Sequence, residues 1–154
     1  VTSWEHRPIW HLTLPWERPL LMANDSSSLR GQMRTKASVR DDTAMIARQL
    51  KLPPIAVPVV AVLSWYHRTR RAIDSDNIAP TLKRCLDGLQ LAGVLENDSG
   101  HHVRLTAQRC IPKDLDPFVG GRPRVVLSLY DASDFLLPHP EPSPCATLTA
   151  ASRL

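Results

Sequence analysis

The chain has no apolar run close to the ~18 residues needed to span a bilayer. Its longest candidate, Ile55 to Trp65, is short and strand-like, so no membrane partner is expected. The opening VTSWEHRP carries Glu5 and His6 and has no apolar core, so it does not read as a signal peptide. Cysteine is scarce and unpatterned. Cys85, Cys110 and Cys145 are an odd number, far apart and without Cys-x-x-Cys spacing. That argues against a disulfide framework and against a zinc site, and it predicts free thiols in a reducing cytoplasm. No phosphate-binding glycine loop occurs among the 6 glycines, which argues against nucleotide hydrolysis. Ser26 to Ser28 have no nucleophile context. His101 and His102 have no third ligand at suitable spacing and read as exposed loop residues. There is no internal repeat.

What is present suits one domain with a real core: 154 residues, 43% apolar and 22% charged. The net charge of +4 is mildly basic and compatible with a nucleic-acid partner. Residues 1–8 are polar and read as loose, 9–131 as the folded domain, and 132–154, rich in proline and then in small residues, as a disordered tail.

Within the domain, Ile9 to Leu14 alternates apolar and polar positions and predicts a strand ended by Pro15. Trp16 to Arg30 reads as an ordered loop around Pro19 and the Asn-Asp-Ser-Ser-Ser cluster. A helix is expected from about Thr35 to Leu50, burying Val39, Met45, Ile46 and Leu50. Arg30, Arg34, Lys36 and Arg40 crowd cations near its start, the unfavourable end of the helix dipole, which invites a phosphate partner as well as the reading of a solvated basic face. Pro53, Pro54 and Pro58 stiffen the next connector. Val59 to Trp65 is a β-rich run expected as a central, mostly buried strand. Ile78 to Ala92 predicts a helix whose stripe is Ile78, Leu82, Cys85, Leu86 and Leu89, with Pro80 in the first turn, Asp76 or Asn77 as its cap and Gly93 as its stop. Val103 to Cys110 and Arg124 to Tyr130 read as strands around a loop, Pro112 to Pro123. The order predicts an α+β fold, a single domain with a mixed or antiparallel sheet packed with two main helices. Trp4, Trp10, Trp16 and Trp65 read as core or interface anchors.

The chemistry concentrates between Arg70 and Asp98. In an extended segment residues two apart point to one side, so Asp74 and Asp76 can present two carboxylates together. Such a pair suits a hard divalent cation, and Mg²⁺ takes one or two carboxylates plus water and substrate phosphate. The same residues also make a good turn and helix cap. Lys83 and Asp87 have the spacing of a surface ion pair, and Glu96 to Gly100 also reads as a turn. The helix carries the chain about 22 Å away at 1.5 Å per residue, and spacing alone does not return Asp98 to Asp76.

Taken together, this segment resembles the signature of the RusA family of Holliday junction resolvases, endonucleases common in prophages and bacteriophages. The matching elements are Asp74-Ser75-Asp76-Asn77, Lys83, Asp87-Gly88-Leu89, Ala92-Gly93 and Asn97-Asp98. Leu14-Pro15-Trp16 and Ala23-Asn24-Asp25 resemble further family features, and the likeness covers roughly residues 9–130. The resemblance implies catalytic, metal-binding carboxylates at Asp74, Asp76 and Asp98, a catalytic-site cation at Lys83, and Mg²⁺ as cofactor with Mn²⁺ able to substitute. It further implies a homodimer that resolves four-way or other branched DNA by paired phosphodiester hydrolysis, in recombination and repair. Arg68, Arg70 and Arg71 would hold flanking phosphates, with Arg34, Lys36 and Arg40 as a second patch. Two departures stand out. Ile78-Ala79-Pro80 lengthens the step from Asn77 to Lys83, as in a phage-type subgroup. Asn97 replaces the first of two acids, while Asp98 matches the essential one. The alternatives are a non-catalytic branched-DNA binder with a degraded metal site, and an interaction protein whose acids merely cap a helix.

Overall fold

Val59 to Tyr66 (β2) is the strand on which the sheet is built. The computed structural model describes residues 8–118 and 120–133. There, β2 pairs in parallel with Val103–Ile111 (β3) and antiparallel with Arg124–Asp131 (β4), while Trp10–Thr13 (β1) pairs only with β4. The sheet order is β1-β4-β2-β3, so the sheet is mixed. The β-branched run that marks β2 explains its place: Val59, Ala61 and Leu63 are fully buried. Its parallel pairing with β3 follows from the helix between them, because parallel neighbours need a crossover and cannot be joined by a tight turn. The four strands and two main helices make an α+β domain.

The first helix, α1, runs Leu29–Gln49 and starts ahead of the expected Thr35. The serine cluster read as loop supplies its cap. The Ser28 hydroxyl accepts from the Gly31 N–H at 3.1 Å, so Arg30 and Arg34 are helical. Its buried residues are Val39, Thr43, Ala44 and Ala47. Met45 and Leu50, expected inside, are exposed, and Ile46 is half-buried. The reason lies in the second helix, α2, Ala79–Leu91. A Cβ on Gly88 would sit 2.5 Å from the Arg40 carbonyl oxygen and 2.8 Å from Thr43 Cβ. So close an approach leaves room only for a small-residue stripe on α1.

α2 buries the stripe its periodicity predicts, Ile78, Leu82, Cys85, Leu86 and Leu89. A short 3-10 turn, Ser75–Ile78, leads into it. The expected cap by Asp76 or Asn77 is absent: Ile78 holds the N-cap position and no side chain caps it. Pro80 falls in the first turn, and Gly93, at φ +76°, follows the Ala92 C-cap. The loop before α1 is laced to this start. Leu21 N–H donates to Thr81 Oγ1 (3.1 Å), the Thr81 hydroxyl donates to the Leu21 carbonyl (2.7 Å), and Ala23 N–H donates to the Asn77 carbonyl (2.8 Å). Trp10, Trp16 and Trp65 pack on the core, and Trp16 Nε1 donates to Asp42 on α1 (2.9 Å). Cys85 is buried, which pushes its thiol up to about 12, and both it and Cys110 are free. No helix among the described residues is long and apolar enough to cross a membrane. Trp4, Cys145 and most of the expected loose N-terminus and proline-rich tail lie outside the described residues. Ala132 does not behave as tail: it is buried and its N–H donates to the Pro58 carbonyl at 2.8 Å.

Candidate active site

Beyond Tyr66 the chain keeps beside β3 before it turns away. His67 N–H donates to the Ile111 carbonyl (3.0 Å) and Lys113 N–H to the Thr69 carbonyl (3.3 Å). Arg68, Arg70 and Arg71 are exposed along this stretch, and the Asp74 carbonyl lies 4.0 Å from Cys110 Sγ. Asp74 precedes the 3-10 turn and Asp76 lies within it. Both are exposed, and neither makes a capping hydrogen bond. A role as helix caps therefore does not account for these two carboxylates.

Lys83 is exposed on α2, away from its buried stripe, and Asp76 is exposed in the 3-10 turn that leads into the helix. The Lys83 ammonium pairs with Asp98 and, at 3.2 Å, with Asp87. The other oxygen of Asp87 accepts from Arg84 at 2.8 Å. Asp98 thus comes back to Lys83 on α2, whereas among the described residues it forms no three-carboxylate group with Asp74 and Asp76. Two features bring it back. Gly93 takes the left-handed conformation that reverses the chain. Val94 and Leu95 are then buried, and their N–H groups donate to the Leu89 carbonyl at 2.9 and 3.3 Å, while the Val94 carbonyl accepts from Ile55 N–H at 2.9 Å. The pairing shows in the charges: the hydrogen bond from Lys83 lowers the Asp98 carboxyl below its usual value, and Asp98 raises Lys83 above its own.

Asn97, where the sequence resemblance implies an acid, accepts from the Ser99 N–H at 2.9 Å and so builds the turn. His102 is half-buried, with Nε2 3.1 Å from Glu96, and His101 is exposed. Of the six cations expected to hold DNA, Lys36, Arg40 and Arg68 line two separate depressions. Lys36 and Arg40, with Met33, Ala37 and Arg84, line a shallow depression of ≈ 190 Å³ between α1 and α2. Arg68 lines a separate cleft at the end of β2. Arg34, Arg70 and Arg71 line neither depression, and Arg40 spends part of its charge on Asp41 at 2.8 Å. Arg84 was missed from sequence, although its spacing to Asp87 is that of a helical ion pair.

The donors at Asp74, Asp76 and Asp98 are all carboxylate oxygens, the chemistry a hard divalent cation prefers. Their arrangement is only partly that of a metal centre. Asp98 is engaged by Lys83, and among the described residues no group of three His, Cys, Asp or Glu side chains stands ready to hold a metal ion. No protein-family model matches the chain, and no curated protein matches it.

Proposed function

We propose that the chain is a metal-dependent, structure-selective DNA endonuclease of RusA type, acting as a homodimer on four-way or other branched DNA in the cytoplasm. The observation that carries this reading is the return of Asp98 to Lys83 on α2, the helix that directly follows the turn bearing Asp76. Lys83 and Asp98, far apart in the signature, come together in space, and the side chains of Asp74 and Asp76 make no helix-capping hydrogen bond.

Asp74, Asp76 and Asp98 would hold Mg²⁺ or Mn²⁺. The chemistry such an ion would supply there is polarisation of a phosphate and a lowered pKa for bound water. Lys83 supplies a fixed positive charge. Asp98 and Asp87 orient its ammonium and raise its pKa, so it stays protonated at neutral pH and can stabilise charge gathering on phosphate oxygens. Lys36, Arg40 and Arg84 on the helices, and Arg68, Arg70 and Arg71 after β2, hold flanking phosphates and position DNA without reading its sequence.

The test is a synthetic four-way junction incubated with protein and Mg²⁺. Opposed nicks are expected from the wild type, with Asp76→Asn and Lys83→Ala each slower by about 100-fold or more. An absence of cleavage with both Mg²⁺ and Mn²⁺ removes the proposal. A second reading, a branched-DNA binder that no longer cuts, draws on the Asn97 oxygen bound to Ser99 and on the direct pairing of Asp98 with Lys83. It expects metal-independent binding that Asp76→Asn leaves intact, and cleavage appearing only in Asn97→Asp.

A further inference from the structure

At the end of the sheet where the parallel pair finishes, a cleft of ≈ 410 Å³ opens between the residues that follow β2 and the loop joining β3 to β4. Open α/β sheets bind ligands beyond the carboxyl ends of their parallel strands, and this cleft lies beyond the corresponding ends of the parallel β2–β3 pair. Arg68, Lys113 and Arg122 line it, and none has an acidic partner among the described residues. Its one acid, Asp116, is already neutralised. Arg124 grips both Asp116 oxygens at 2.8 and 2.9 Å and lowers its carboxyl below the usual value, while stacking 3.8 Å above the Tyr66 ring. Gly121 is what lets the loop close on this pair: a Cβ there would lie 2.9 Å from Arg124 Nη1 and 3.0 Å from Asp116 Oδ2. Three cations therefore share the cleft with no net negative charge to offset them, an arrangement that favours an anion. His67 forms part of the wall. It is 5% exposed, its Nδ1 meets Thr69 Oγ1 at 3.0 Å, and its Nε2 has no hydrogen-bond partner among the described residues.

We propose that this cleft is a phosphodiester-binding subsite, in which Lys113, Arg122 and Arg68 seat the backbone of a nucleic-acid strand that extends away from the carboxylates. The volume lies within the range of small-ligand pockets, enough for a nucleotide unit. The location suits a strand crossing both sites, because Asp74 stands against Cys110, the residue before the Ile111 that pairs with Tyr66 at the cleft. The identity of the ligand rests on the endonuclease reading; the anion site itself does not depend on metal or on the aspartates.

The experiment measures binding of a fluorescent four-way junction and a fluorescent single strand by anisotropy, in EDTA, across a salt series. Lys113→Ala and Arg122→Ala, both at exposed positions, are compared with Arg104→Ala, an equal loss of charge at the opposite end of β3. Each cleft variant should bind about 5- to 10-fold more weakly and lower the salt slope by about one, as loss of a phosphate contact does, while Arg104→Ala stays within about twofold because it touches no phosphate. Equal unfolding temperatures confirm that the fold is intact. The subsite is overturned if the cleft variants bind as the wild type does, if Arg104→Ala loses as much, or if the wild type binds inorganic phosphate but no DNA. Cleavage is read separately: a wild type whose DNA binding depends on the cleft but which never cuts upholds the subsite and removes the endonuclease.

Discussion

Asp98 and Lys83 are each partly in water, with side-chain exposures of 32% and 51%, so their pairing adds little to stability, about 1 kcal/mol or less. The sign follows from the shifts. Asp98 is lowered, so its contribution is present above the ordinary carboxyl value and fades as pH falls through the folded value. Lys83 is raised, so its contribution is present below the ordinary lysine value and fades only as pH climbs through the folded one. Asp98→Asn should therefore cost less than about 1 kcal/mol in urea unfolding at pH 7, and the gap from wild type should close in acid. If the same variant abolishes cleavage, the carboxylate serves chemistry. A loss above about 2 kcal/mol would instead make it a structural strut, beyond what an exposed pair supplies. At this scale the sequence identified the residue types and hid their meeting. Asp98 reaches Lys83 because Val94 and Leu95 are buried and Gly93 reverses the chain, and no spacing rule contains that return. The side-chain role of Asn97 in a turn was legible, since the turn reading of that loop came from the same residues.

Helix packing explains why the buried face of α2 was legible and that of α1 was legible only at Val39. The stripe of α2 consists of large apolar residues at regular spacing, and all of it is buried. The buried face of α1 uses Thr43, Ala44 and Ala47, which hydrophobicity does not mark, while the larger Met45 and Leu50 face water. The start of α1 was missed for a related reason: no acid occupies its first turn, and its serine cap sat inside a run that also reads as loop. The contact at Gly88 sets all this. Gly88→Ala must push α1 away, because the new methyl meets backbone at Arg40 and the branched carbon of Thr43. It should destabilise the fold by about 1–3 kcal/mol, as overpacking does, measured by urea or thermal unfolding. It should also disturb the depression shared by Lys36, Arg40 and Arg84, weakening DNA binding beyond what the stability loss explains. A Gly88→Ala protein as stable as its parent would mean that the two helices do not meet this closely in solution.

Across the whole molecule, the parallel ending of β2 and β3 brings the approach to Asp74 and the cationic cleft to one end of the sheet. The β2–β3 pairing could have been expected from the helix between them, but the sheet order could not, because it depends on which non-local strands meet. On the proposed function, one chain would carry one set of Asp74, Asp76, Lys83 and Asp98, whereas resolution of a four-way junction needs two opposed cuts. The proposed two-fold dimer would supply the second set with matching symmetry. The consequence is testable on a supercoiled plasmid bearing a cruciform. Wild type, cutting both strands within one complex, should yield linear DNA. When wild type is mixed with an excess of Asp76→Asn and the chains are allowed to exchange, most active complexes hold one working site, so the product should shift to nicked circles while total nicking falls less. Linear product undiminished relative to total nicking would mean that the two cuts do not require paired chains. Sedimentation of the wild type at the mass of a single chain, with cleavage intact, would exclude the dimer altogether.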